Sequence, residues 1–80
     1  MSTSAIVREP VAVDVKVTDA ALTVFLADGR ELSVALAWFP RLVNASTSER
    51  HEWRLIGQGI GIHWPSIDED ISVESLLSTR

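Results

Sequence analysis

Hydrophobic and polar residues alternate along three segments near the start of the chain. Valines occupy every second position from 11 to 17, with mostly polar residues between them, which is typical of a half-buried strand. Residues 22–26 and 32–36 alternate in the same way, and the pair Asp28-Gly29 between them predicts a tight hairpin turn. Three short strands joined by short turns predict an antiparallel meander.

The alternation ends at Trp38, and the next segment has helical features. Pro40 suits the first turn of a helix, where its missing N–H costs nothing. Ser46 and Glu49 have the spacing of a capping box, in which each residue satisfies an N–H of the other. Residues 40–53 are therefore predicted to form one interrupted helical segment or two short turns.

The last third of the chain predicts more strand and a final helix. Residues 54–56 and 60–64 favour strand, separated by Gly57-Gln58-Gly59 and ended by Pro65. Apolar residues then recur at helical spacing after an acidic run that suits the positive end of a helix dipole. The apolar positions are Ile71, Val73, Leu76 and Leu77, the acidic run is residues 68–70, and the candidate caps are Asp70 and Ser72.

These elements predict a small α+β fold in a single domain. The predicted order is a three-stranded antiparallel meander, a helical segment, further strands and a C-terminal helix. Residues 11–80 would form the domain, and residues 1–10 are predicted to be a flexible N-terminal lead-in.

Composition narrows the class of protein. Eighty residues without cysteine give one domain near the lower size limit for a lone hydrophobic core, so self-association as a homodimer is a reasonable expectation. The net charge is −4, and no basic residue lies between Arg54 and Arg80, so a phosphate-binding basic patch is not expected. The amino terminus lacks a signal-peptide pattern and no apolar run approaches about 20 residues, which predicts a cytoplasmic protein with no membrane contact.

Motifs for catalysis, cofactors and metals are weak. The glycines at 57, 59 and 61 do not fit a dinucleotide fingerprint, because position 62 is isoleucine. His63 with the acidic run 68–70 lacks the ligand spacing of a calcium loop. The chain has two histidines, no cysteine and no G-x-S-x-G motif. We therefore predict no enzyme, no cofactor and no metal.

Three tryptophans stand at boundaries between predicted elements. Trp53 is predicted to pack on the core, whereas Trp38 and Trp64 are candidates for either the core or an interface. Two arginines in the helical segment could pair with the acidic run or face a partner. The candidate partner-binding residues are Trp38, Arg41, Arg50, His63, Trp64, Asp68, Glu69 and Asp70.

The stretches DGR, WFPRL, the spacing A-[ST]-x-x-E-R-x-x-W and the block GIHWPSIDEDISVESLL resemble a bacterial family known as domain of unknown function 2442. The resemblance runs from about Val13 to Leu77, with Ala35 and Ser46 standing where proline and threonine are expected. It implies an antiparallel sheet with helices packed on it, and no particular reaction. Members are often encoded beside another small protein in the manner of toxin–antitoxin pairs, which implies a protein-binding, antitoxin-like role.

Three hypotheses follow. The leading one is a non-enzymatic protein-interaction module whose partner is another small protein. The second is a DNA-binding autoregulator, which would require Arg30, Arg41, Arg50 and Arg54 to cluster, although nucleic-acid binding by the chain alone is not expected. The third is a small-ligand or metal site near His63.

Overall fold

The chain folds into two three-stranded antiparallel sheets connected by short helices, and a computed structural model describes residues 10–78. The first sheet contains β1 (Ala12–Val17), β2 (Ala21–Leu26) and β3 (Glu31–Ala35). A 3-10 turn (Leu36–Trp38), α1 (Pro40–Val43) and α2 (Thr47–His51) follow. The second sheet contains β4 (Arg54–Ile56), β5 (Gly61–Trp64) and β6 (Glu69–Ser72), with 3-10 turns at Gly57–Gly59 and Pro65–Ile67, and α3 (Val73–Ser78) ends the fold. The predicted α+β class is confirmed, while residues 1–9 of the predicted lead-in lie outside the described residues.

The predicted meander is confirmed as the order β1-β2-β3. Its core face follows the alternation, and Val24 in the central strand is fully buried opposite Val15 and Leu32. The pattern is wrong at one position: Val13 is 57% exposed, although it was predicted to share a face with Val15. A β-bulge between Ala12 and Asp14 shifts the register there and turns Ala12 inward instead.

The segment after the meander contains two separate short helices, which agrees with the interrupted segment predicted. Pro40 is at the first position of α1. The Ser46 hydroxyl accepts a hydrogen bond from the Glu49 N–H at 3.1 Å, and the Glu49 carboxylate accepts one from the Ser46 N–H at 2.9 Å. The capping box is therefore confirmed as the start of α2.

The turn between β4 and β5 depends on glycine. Gly57, Gln58 and Gly59 all have positive φ, and Gly59 reaches +103°. A Cβ atom on Gly59 would lie 2.5 Å from the carbonyl oxygen of Ala12, so this turn packs directly on the start of β1. The glycines thus serve backbone geometry and close approach between the two sheets.

The prediction that the acidic run 68–70 directly precedes and caps the C-terminal helix is wrong. Glu69 and Asp70 belong to β6 and Asp68 has a left-handed conformation, so none of these carboxylates caps α3. The strand forms because Ile71 pairs with Ile62 of β5, and both side chains are buried in the core. The other predicted cap is confirmed: the Ser72 hydroxyl accepts a hydrogen bond from the Ser75 N–H at 3.1 Å.

Both sheets contribute to one hydrophobic core. Its most deeply buried side chains, each under 2% exposed, are Leu22, Val24, Leu36, Leu42, Ile62, Trp64 and Val73. Trp53 is half-buried against this cluster, as predicted. None of the helices within residues 10–78 is both long enough and apolar enough to cross a bilayer.

Candidate functional site

Arg50, a candidate partner contact, is instead an interior residue that is 9% exposed. Its guanidinium donates from Nε to the Leu42 carbonyl at 2.9 Å and from Nη2 to the Val43 carbonyl at 3.0 Å. Its Nη1 donates to the Asp19 carboxylate at 2.6 Å. The side chain in α2 therefore satisfies the last carbonyls of α1 and fixes the two helices together.

Trp64, another candidate partner-binding residue, has no exposed surface. Its indole N–H donates to the main-chain carbonyl of Arg50 at 3.1 Å. The side chain is the largest of the fully buried residues, and burying such an indole with its N–H satisfied is a core role. A partner cannot reach Trp64 or Arg50 in this fold, so these two residues are no longer candidates for partner binding.

Arg41 remains exposed and connects α1 to the acidic run. Its Nη1 donates to the main-chain carbonyls of Asp68 at 2.7 Å and Ile67 at 3.3 Å. The sequence suggested that Arg41 could pair with the acidic side chains, whereas the structure shows contacts with the main chain. This arginine holds the turn before β6 in place, and the Asp68 carboxylate stays exposed to solvent.

His63 and Asp70 meet on the outer face of the second sheet. Arg54 lies opposite His63, which lies opposite Asp70, so the three side chains form one cross-strand row. The His63 Nδ1 and the Asp70 carboxylate are 2.5 Å apart. Glu69, the remaining carboxylate of the acidic run, is half-buried on the opposite face of the sheet. Within residues 10–78 no third carboxylate or imidazole joins this pair in a group suited to a metal ion.

Three of the four arginines required for DNA binding are engaged in other contacts, and Arg54 is exposed on β4. Arg30 pairs with the Asp28 carboxylate at 2.8 Å, Arg50 is buried, and Arg41 is engaged with carbonyls. Hydrogen bonds from the Arg30 main chain and side chain lower the pKa of Asp28 below its ordinary value. Nothing in this arrangement favours phosphate contacts.

Trp38, unlike Trp64, lies at the surface of the fold. Its side chain is 49% exposed, and its indole N–H has no acceptor among residues 10–78. It borders a surface groove of about 210 Å³ that is also lined by Leu76 of α3 and by residues 32–35 of β3. The exposed aromatic side chain therefore lies beside a groove of mixed character, lined by apolar side chains and by the polar Ser33.

Within residues 10–78 the groove runs along a strand that pairs with another strand on one side only, while α3 lies close to it. In the described sheet β3 pairs with β2 and is an edge strand. The Leu26 N–H donates to the Arg30 carbonyl at 2.8 Å, and the Leu36 N–H donates to the Ala20 carbonyl at 2.9 Å. Since hydrogen-bonded pairs alternate in antiparallel sheets, the even-numbered residues between them direct their main-chain groups toward β2.

The odd-numbered residues of β3 therefore direct their N–H and C=O groups to the open side. These residues are Glu31, Ser33 and Ala35, and all three side chains are exposed. No main chain within residues 10–78 pairs with this side of the strand. The sequence predicted the strand and Trp38 but not the open edge, because alternation shows which face is buried and not which strand is outermost.

Two antiparallel meanders over one core, with short helices between and after them, define a small α+β domain. The chain belongs to the family described as Protein of unknown function (DUF2442), whose sequence model matches residues 12–80. This confirms the resemblance in the blocks around Trp38 and the C-terminal strand.

A solved structure has a similar fold. It is the crystal structure of a protein of unknown function from Rhodospirillum rubrum ATCC 11170, with a TM-score of 0.77 and 27% sequence identity. The similarity covers 89% of this chain and 88% of that one. The comparison with curated proteins gives no match.

Proposed function

We propose that the chain is a non-enzymatic protein-interaction module that binds an extended segment of a partner protein along the open edge of β3. The observation that carries this proposal is the coincidence, within residues 10–78, of unpaired main-chain groups on β3 and a groove lined in part by apolar side chains. Glu31, Ser33 and Ala35 offer N–H and C=O groups on the same side of the strand where Trp38 is exposed. Strand addition of this kind obtains affinity from main-chain hydrogen bonds and specificity from side-chain pockets.

The composition of the edge supports the proposal. Natural edge strands are commonly protected from pairing by lysine, proline or a bulge. β3 has none of these, and its single charged residue is Glu31 at the beginning of the strand. Its half-buried Leu32 and Val34 are part of the groove lining, so an added strand would cover apolar surface as well as pair with the main chain.

An antitoxin-like role is the more specific form of the same proposal. In that form the bound segment belongs to a small protein encoded next to this chain. The support comes from the family resemblance, and the open edge of β3 supplies a place where such a protein would bind. The outer face of the second sheet, with its His63–Asp70 pair, is not required.

Co-expression with the neighbouring genes followed by purification tests the proposal. Ser33→Pro removes an N–H that faces the open side and leaves the β2 pairing groups unchanged, since proline is tolerated at an edge. We expect this variant to lose the bound protein while Lys16→Ala, an exposed change on β1, retains it. Trp38→Ala should weaken the complex at least tenfold, which corresponds to about 1.4 kcal/mol or more for a hot-spot residue. A complex that survives both changes at the edge contradicts the proposal.

A further inference from the structure

We infer that, when no other partner is bound, the open edge of β3 is covered by a second copy of the same chain. The two β3 strands would pair antiparallel about a two-fold axis at Ser33 and join the two first sheets into one six-stranded sheet. This inference rests on the proposed function, because it names an occupant of the same edge.

The register follows from the groups that point to the open side. Only odd-numbered residues of β3 offer main-chain groups there, so each must face an odd-numbered residue of the second copy. Placing Ser33 opposite Ser33 pairs all three of these residues, because Glu31 then faces Ala35 and Ala35 faces Glu31. Shifting the register by two residues in either direction leaves part of the open edge unpaired.

The charges of the strand are compatible with this register. Glu31 is the only charged residue of β3, and antiparallel pairing about Ser33 places each Glu31 opposite a neutral Ala35. Like charges directly opposite each other destabilise a sheet, and a register centred on Glu31 would create that pair. The sequence of the strand is therefore complementary to itself in the centred register.

The apolar surface is also complementary. In the centred register Leu32 lies opposite Val34 of the second copy, and Val34 lies opposite its Leu32. Both side chains are half-buried in the single chain, so the pairing would extend the hydrophobic layer across the two-fold axis. Trp38, three residues beyond Ala35, would lie near the end of the second strand that begins with Glu31. The Glu31 carboxylate is a suitable acceptor for the indole N–H, which has no acceptor among residues 10–78.

A closed pairing of this type also accounts for an edge without protecting residues. An isologous contact uses the same surface on both copies and leaves no open edge at β3 for further addition. A small domain without disulfides gains stability from such association. A different partner protein would compete with the second copy for the same strand.

Charge substitutions at the two-fold axis test the inference, with the dimer dissociation constant measured by analytical ultracentrifugation. Ser33→Lys alone and Ser33→Asp alone each place like charges opposite each other, and each should weaken the dimer about fivefold or more. An equimolar mixture of the two variants places opposite charges together and should restore association to at least the wild-type level. Lys16→Asp is the matched control, because Lys16 lies in the same cross-strand row as Ser33 but two strands away.

The outcomes separate this inference from the proposed function. A wild-type chain that is monomeric up to millimolar concentration overturns the second-copy pairing, and so does a dimer that is unaffected by Ser33→Lys. If that monomer still loses its co-purified protein on Ser33→Pro, the proposed function stands without the homodimer. Circular dichroism of each variant shows whether the fold is intact, and the recovery in the mixture cannot arise from misfolded chains.

Discussion

Removal of the Arg50 side chain should be one of the most damaging single changes in this protein. The guanidinium is 9% exposed and makes two hydrogen bonds to the last carbonyls of α1, on Leu42 and Val43. Truncation to alanine removes the side-chain donor of both carbonyls and opens a space beside the core. The Leu42 carbonyl keeps the Ala45 N–H at 3.2 Å, whereas the Val43 carbonyl loses its donor. The position is therefore structural, although its sequence context suggested partner binding.

These contacts set the expected loss in the free energy of unfolding. A hydrogen bond to a charged group contributes about 1.5–3 kcal/mol, and an unsatisfied buried carbonyl costs about 1–3 kcal/mol. Allowing for water entering the vacated space, we expect Arg50→Ala to lower the free energy of unfolding by about 3 kcal/mol. For a domain of this size each kcal/mol shifts Tm by about 4–8 °C, so Tm should fall by about 12–24 °C. The ion pair adds little, because the Asp19 side chain is 97% exposed.

Urea unfolding followed by tryptophan emission measures this loss directly. Trp64 reports on the same region, since its indole N–H donates to the Arg50 main chain, which the substitution leaves in place. Arg50→Lys keeps the charge but has one nitrogen in place of the three that bond, so it should recover only part of the loss. Asp19→Ala should leave the urea midpoint close to that of the wild type.

Two results would contradict the stabilising role assigned to the Arg50 hydrogen bonds. The first is an Arg50→Ala variant within about 1 kcal/mol of the wild type, which would show that the two carbonyls find other donors easily. The second is an Asp19→Ala variant as unstable as Arg50→Ala, which would show that the exposed ion pair, and not the hydrogen bonds to α1, carries the stability.

Three further predictions concern the fold. Gly59→Ala should destabilise the protein by about 3 kcal/mol, because the residue has positive φ and its new Cβ would clash with the backbone of Ala12. Gly29→Ala has positive φ but open space around the new Cβ, so it should cost about 1 kcal/mol. Equal urea midpoints for the two variants would contradict the close approach of the Gly59 turn to Ala12. Ser46→Ala should cost about 1 kcal/mol by removing the cap of α2, while the exposed Ser48→Ala should be neutral, as compared by thermal melts. The lowered pKa of Asp28 gives stability that is present above the ordinary aspartate pKa of about 3.9 and is lost as the pH falls through the lowered value. Asp28→Asn should therefore flatten the acid end of the stability–pH profile, and an unchanged profile would contradict the assignment.

The sequence predicted the first sheet well because its pattern is local. Alternation in 22–26 and 32–36 depends on one buried face, and Asp28-Gly29 fixes the turn between them. The β1 bulge could not be predicted in this way. At the bulge the Gly59 turn of the second sheet packs on Ala12, which is a contact between residues far apart in the chain.

The candidate site was only partly predictable. Exposed Trp38 was named from the sequence, but Trp64, which like Trp38 stands shortly before a proline, is fully buried. Both tryptophans have the same local signal, and their difference is set by which side of the core each element packs on. Arg50 likewise has the sequence of a surface helix and is buried because α1 ends beside it.

The sequence determined the class of fold, the family, the meander, the capping box and the turn at Asp28-Gly29, since each depends on residues close together in the chain. The tertiary structure alone decided the fate of the acidic run. Residues 68–70 have the composition of a helix start, yet the gain from burying Ile71 against Ile62 makes residues 69–72 a strand, with Asp68 in the turn before it. It also decided that β3 is the outermost of the strands within residues 10–78, because no pattern within a strand records which strands lie beside it.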